Sequence, residues 1–168
     1  MSDQAIVEKL KAGFSSDVLD VVEHRGETTI TVAKETIVAI CIFLRDECGY
    51  NLLTDLCGVD FLGKTPRFMV VYNLYNITTK QRLRVKVPVA EEDAKVDTVS
   101  TVWGTANWHE RECWDLMGIS FNNHPDLRRI LMPADWRGIR CAKITRCRAP
   151  TVSLIRVVFP EVTLYIIP

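Results

Sequence analysis

The chain predicts an α+β fold: helices packed on one face of a mixed or antiparallel sheet, followed by a charged helix and an irregular C-terminal extension. Three observations carry that prediction. Two segments place apolar residues at helical spacing. A β-rich pair flanks a tight-turn dipeptide, and three further β-rich runs follow one another with turn chemistry between them.

Ile6, Val7 and Leu10 have helical spacing in a segment that Gly13 ends. Val18 to Glu23 and Glu27 to Val32 are β-rich and flank Arg25-Gly26, which predicts a hairpin. Lys34 to Cys48 predicts a second helix, its stripe formed by Ile37, Val38, Ile40, Cys41 and Leu44 and its end marked by Gly49. Asn51 to Phe61, Arg67 to Asn76 and Gln81 to Val87 predict three successive strands. Gly63-Lys64-Thr65-Pro66 and Ile77-Thr78-Thr79-Lys80 supply the turns, and Pro88 is expected to end the last strand. Val96 to Val102 predicts a short helix. There is no internal repeat and no low-complexity segment.

The 168 residues suit one domain with a real core. Residues 1–102 divide off as the sheet part, 103–138 as a charged helix and docking segment of the same domain, and 139–168 as a divergent tail. Twenty-one basic and 21 acidic residues cancel, which argues against non-specific nucleic-acid binding, driven as that is by phosphate neutralisation. Met1-Ser2-Asp3-Gln4 has neither the basic start nor the apolar run of a secretory leader, and no stretch approaches the roughly 18 apolar residues of a membrane span. Six cysteines without such a leader predict reduced thiols in the cytosol, and none forms a C-x-x-C pair.

Asn107 to Gly138 concentrates the chemistry, holding three of the four Trp and two of the three His. Its first part predicts a helix capped by Asn107 and closed by Gly118. Ala106, Cys113, Trp114 and Met117 share a face with Glu110 in its middle, while Arg111 and Asp115 fall on the other side, spaced to pair at i,i+4. A carboxylate in an apolar arc is costly unless a cation meets it, and Arg128 and Arg129, past the turn at His124-Pro125, are the nearest candidates. The result is a docking surface more than a catalytic cleft.

Other chemistries fit these residues less well. His109-Glu110-Arg111-Glu112-Cys113 imitates a zinc-protease helix but carries Cys where the second His ligand belongs. His109, Cys113, His124 and Cys141 are four ligand types at a spacing that matches no structural zinc pattern. His124 before Pro125 fits a turn residue bonded to a neighbouring backbone group or carboxylate. No nucleophile elbow and no phosphate-binding glycine motif is present. Trp103, Trp108, Trp114 and Trp136 divide between core and interface, since Trp and Arg dominate protein contacts.

Taken together, Glu110-Arg111-Glu112, Trp114-Asp115, Gly118-Ile119, Phe121, His124-Pro125 and Arg129-Ile130-Leu131 resemble the signature of the C subunit (30 kDa type) of proton-pumping NADH:quinone oxidoreductase, respiratory complex I. The likeness covers about residues 1–138. It implies a subunit of the peripheral arm that binds no cofactor and no metal, has no catalytic residue of its own, and sits beside the quinone-site D subunit and the iron–sulfur subunits. Glu110, Arg111, Glu112, Trp114, Asp115, His124, Pro125, Arg128 and Arg129 would form its interface and signature. The complex would carry electrons from NADH to quinone coupled to proton translocation, on the cytoplasmic face of the bacterial inner membrane, with membrane contact only through the complex. The equivalent subunit of a membrane-bound nickel–iron hydrogenase is the alternative of shared ancestry, and a free-standing zinc hydrolase on His109 and Glu110 is a third.

After Trp136-Arg137-Gly138 the resemblance stops. The family continues His-Pro-Leu-Arg-Lys-Asp-Tyr-Pro, whereas this chain has Ile139-Arg140-Cys141-Ala142-Lys143-Ile144-Thr145-Arg146. Removing a single C from plausible codons for the expected text yields the residues found from Gly138 to Pro150. The tail from Ile139 is therefore expected to be translated out of frame, with its β-rich end an aggregation liability and not a selected strand.

Overall fold

The computed structural model describes residues 3–136 and 138. The out-of-frame expectation for residues 139–168, and with it Cys141 and Cys147, lies outside the described residues. Among the described residues three helices, α1 (Asp3–Gly13), α2 (Ile37–Asp46) and α3 (Ala106–Met117), accompany seven strands. These are β1 (Val18–His24), β2 (Glu27–Val32), β3 (Leu52–Asp60), β4 (Phe68–Asn76), β5 (Gln81–Val89), β6 (Lys95–Asp97) and β7 (Ser120–Asn122). The fold is α+β, as expected.

The five longer strands form one sheet in the order β1-β2-β5-β4-β3, and β6 pairs in parallel with β7. The β1–β2 hairpin turns on Arg25 (φ 53°) and Gly26 (φ 75°), the two positive angles that a tight primed turn needs. The β3–β4–β5 meander is antiparallel, but β5 joins β2 in parallel, with Thr28 opposite Leu83 and Thr31 opposite Lys86. The sheet is therefore mixed.

Alternation decides its two faces. Ile30 and Val32 of β2, Val85 and Val87 of β5, and Val70, Tyr72 and Leu74 of β4 are buried on one side. There they pack with Ile6 and Leu10 of α1, Ile37, Ile40, Cys41 and Leu44 of α2, and Ala106 and Cys113 of α3. The helices thus share one face. α3 lies close against β3 because residue 58 is glycine: a Cβ there would stand 2.9 Å from Cys113 Sγ and 3.1 Å from Met117 Cγ.

Four local expectations are corrected. The second helix does not begin at Lys34, since Lys34–Thr36 is a single 3-10 turn, a common way for an α-helix to open. Pro88 does not end β5, which runs to Val89; the ladder to β2 has already stopped at Lys86, so a proline costs no bond on that side. Val96 to Val102 is not a helix. Val96 lies in β6, the Thr98 N–H donates to Asn122 O at 3.0 Å, and Thr98 Oγ1 accepts the Ser100 N–H at 3.1 Å. A hydroxyl turn beside a strand pair thus takes the backbone groups a helix would need. Finally, Asn107 does not cap α3, which starts at Ala106 after Thr105; the Thr105 hydroxyl instead donates to Leu53 O at 3.3 Å.

Candidate functional site

α3 carries Glu110, Arg111, Glu112, Trp114 and Asp115, and Gly118 closes it in the left-handed conformation (φ 78°), its N–H donating to Trp114 O at 2.9 Å. Glu110 is fully buried, as its place in the apolar arc predicted. The expected cation does not meet it. Its carboxyl is held by the Val99 N–H at 2.8 Å and by the Thr98 hydroxyl, with His124 Nε2 at 3.7 Å. Burial pushes the Glu110 carboxyl up from its ordinary 4.5 to about 7, against the opposing pull of the Thr98 and Val99 hydrogen bonds. Arg128 and Arg129 lie elsewhere because the chain beyond α3 passes along another side of the helix.

That side is organised by Asp115. Arg129 Nη1 donates to Asp115 Oδ1 at 2.7 Å, while Oδ2 accepts the N–H groups of Ile130, Leu131 and Met132 at 3.2, 2.9 and 2.8 Å. Burial alone would raise this carboxyl, but the Met132, Leu131 and Ile130 N–H groups and the Arg129 guanidinium outweigh it and hold it below the usual range. The expected Arg111–Asp115 pair is absent. Arg111 is itself buried, its Nε donates to Arg128 O at 3.1 Å, and its guanidinium lies 5.0 Å from the Trp108 ring centre. Both residues of that side therefore reach across to residues 128–132. Helical spacing showed that the two side chains are neighbours but not that a second segment competes for them.

His124 sits as a turn residue should. Its Nδ1 accepts the Asp126 N–H at 3.1 Å, which places the proton on Nε2, 3.2 Å from Asn107 O. Pro125 and Glu112 are exposed, and Arg128 is exposed and paired with Asp126 at 2.9 Å. Trp114 is half-buried with the Arg129 guanidinium 5.8 Å from its ring centre. Trp103 is core, its Nε1–H donating to Tyr50 O at 3.2 Å, whereas Trp108 is 63% exposed and Leu131 56% exposed.

Thr98, Val99 and the Asn107 carbonyl were not foreseen as partners; only the Thr98-Val99-Ser100 hydroxyl-turn pattern hinted at the first two. His109 and Cys113 serve different surroundings: His109 Nδ1 lies 3.7 Å from Asp55 Oδ1 near the surface, and Cys113 packs against Gly58 with its thiol pushed up by burial. Among the described residues no three His, Cys, Asp or Glu side chains are grouped to hold a metal ion. What the arrangement does is fasten residues 124–132 to α3 through buried charge and turn Trp108, Arg128 and Leu131 outward.

The family model described as "Respiratory-chain NADH dehydrogenase, 30 Kd subunit" matches residues 30–143. The chain belongs to that family. Among its 30 kDa-type relatives, the C subunit of NADH-quinone oxidoreductase from Geotalea uraniireducens is 59% identical over 137 residues, covering 82% of this chain and 83% of the relative. The corresponding protein of Geobacter metallireducens is 60% identical over 138 residues, with 82% and 85% covered. A solved structure of the trypsin-resistant fragment (1-134) of Nqo5 superposes with a TM-score of 0.67 at 31% identity, over 76% of this chain and all of that one. A chain of an archaeal respiratory membrane complex, the membrane-bound sulfane sulfur reductase, shares the fold at a TM-score of 0.68 and 20% identity, with 80% and 79% covered. Membership of the 30 kDa family makes this chain a subunit of an NADH-quinone oxidoreductase complex. No described helix is long and apolar enough to cross a membrane.

Proposed function

We propose that the chain is a cofactor-free docking subunit in the peripheral arm of NADH:quinone oxidoreductase, on the cytoplasmic face of the bacterial inner membrane. It sits beside the quinone-site D subunit and the neighbouring iron–sulfur subunits, supports electron transfer from NADH to quinone coupled to proton translocation, and carries no electrons itself. The observation that supports this reading is the Asp115 clamp. One buried carboxylate holds Arg129 and three consecutive N–H groups, so an irregular segment becomes a rigid part of the helix surface. Rigidity of that kind lowers the ordering cost of binding, and the side chains left outward, Trp108 and Arg128 among them, are of the types that anchor interfaces.

The test is recovery of the affinity-tagged chain from detergent-solubilised membranes, with mass spectrometry of its companions and absorption spectra of the separated chain. The D subunit, iron–sulfur subunits and flavin-bearing NADH-oxidising subunits are expected, with no flavin or iron–sulfur absorption from the chain alone. Stoichiometric iron, flavin or zinc on the separated chain would contradict the reading. Nickel–iron hydrogenase subunits in place of the NADH-oxidising ones would move it to the second assembly.

A further inference from the structure

We infer that the outward face of the five-stranded sheet is a second docking surface, which takes a segment of a neighbouring subunit that bears carboxylates beside apolar side chains. This rests on the proposed role as a docking component of a larger assembly. The helices cover one face of the sheet, and on the other, alternation turns Arg82, Arg84 and Lys86 of β5 outward in one row. At roughly 3.3 Å per residue the three cations span about 13 Å along an inner strand. Arg84 is answered within the chain by Glu27 Oε2 at 3.0 Å and Asn73 Oδ1 at 3.1 Å. Lys86 lies between Thr31 on β2 and Val71 on β4, and Arg82 lies opposite Tyr75. Among the described residues neither Arg82 nor Lys86 meets a carboxylate.

Alongside this row β4 turns Met69, Asn73 and Tyr75, all partly exposed, to the same side, with Val71 buried at 8% exposure between them. A cavity of about 500 Å³, whose lining includes Arg82, Arg84, Tyr75 and Asn73 together with the carboxylates of Glu27 and Asp55, opens on the same side. Two unanswered cations next to Met69, Tyr75 and a concavity fit a segment that carries carboxylates beside apolar side chains. Glu27 and Asp55, at the edges of the row, oppose a polyanion such as nucleic acid, and a mixed protein segment satisfies both signs.

The experiment uses the intact complex. Lys86 is expected to react with an amine-acetylating reagent in the separated chain and to lose that reactivity in the complex, and carbodiimide is expected to couple it to an Asp or Glu of a neighbouring subunit. Equal acetylation in both states would overturn the inference, as would coupling only to a second copy of this chain. An Arg82→Glu/Lys86→Glu variant with an unchanged melting temperature is expected to lower retention in the complex by roughly tenfold or more, because like charges then face each other; unchanged retention would also overturn it. Failure to recover any redox subunit defeats the proposed function, whereas a recovered complex in which Lys86 stays reactive defeats only this inference.

Discussion

Asp115 and Arg129 stand fourteen residues apart and meet at 2.7 Å, the arginine taking one carboxylate oxygen while the backbone of residues 130–132 takes the other. Both oxygens of a buried carboxylate are thus fully engaged. Asp115→Asn keeps the size but sets an NH2 group against either Arg129 or the three N–H donors, and is expected to cost about 2–4 kcal/mol. Urea unfolding of wild type and variant at pH 7 measures this. Because the folded-state carboxyl is held low, its stabilisation is present at neutral pH and lost as pH falls through that low value, so the two proteins should converge in acid. A difference below about 0.5 kcal/mol at pH 7 would place the clamp among surface contacts of no consequence.

Glu110 works with the opposite sign. Its carboxyl, raised to about 7, keeps a proton that the unfolded chain releases from about pH 4.5 upward, so stability falls as pH rises through that window. The loss amounts to about 3 kcal/mol and is complete above about pH 7.5. Melting temperature should therefore peak near pH 5, where Asp115 is ionised and Glu110 still protonated, and the decline toward pH 8 should largely disappear in Glu110→Gln. A parallel decline in both proteins would mean that Glu110 is ionised throughout.

Gly58 lets α3 approach β3. Gly58→Ala places a methyl 2.9 Å from Cys113 Sγ and 3.3 Å from Ile119 Cδ1, and overpacking of that kind costs about 1–3 kcal/mol. Cys113→Ala removes the nearest obstacle, so the double variant should recover part of that loss in a thermodynamic cycle. Strict additivity of the two changes would show that Cys113 is not the obstacle the added methyl meets.

Most of the fold was legible because its signals are local: helical spacing at Ile37 to Leu44, Arg25-Gly26 between two β-rich runs, and Gly118 at the end of α3. The parallel β2–β5 pairing was less so, since it joins strands distant in the chain through backbone groups that every sequence shares. At the site, burial of Glu110 followed from its position in the apolar arc. Its partners did not, because a backbone N–H and a Thr hydroxyl leave little trace in a charge pattern. Arg111 and Asp115 misled for a related reason: spacing places them side by side, but the segment at 128–132 offers each a better-satisfied arrangement.

The tail carries its own prediction. Sequencing the gene through the codons for Gly138 onward is expected to show a single-base loss relative to a frame encoding His-Pro-Leu-Arg-Lys-Asp-Tyr-Pro. An intact DNA frame together with an intact mass matching the sequence through Pro168 would make the tail genuine.

The claim that the α3 surface binds companion subunits is tested most directly by hydroxyl-radical footprinting of Trp108 and Leu131, 63% and 56% exposed in the chain alone. Both side chains should oxidise readily in the separated chain and be shielded in the assembled complex. Equal oxidation in the two states would contradict the account.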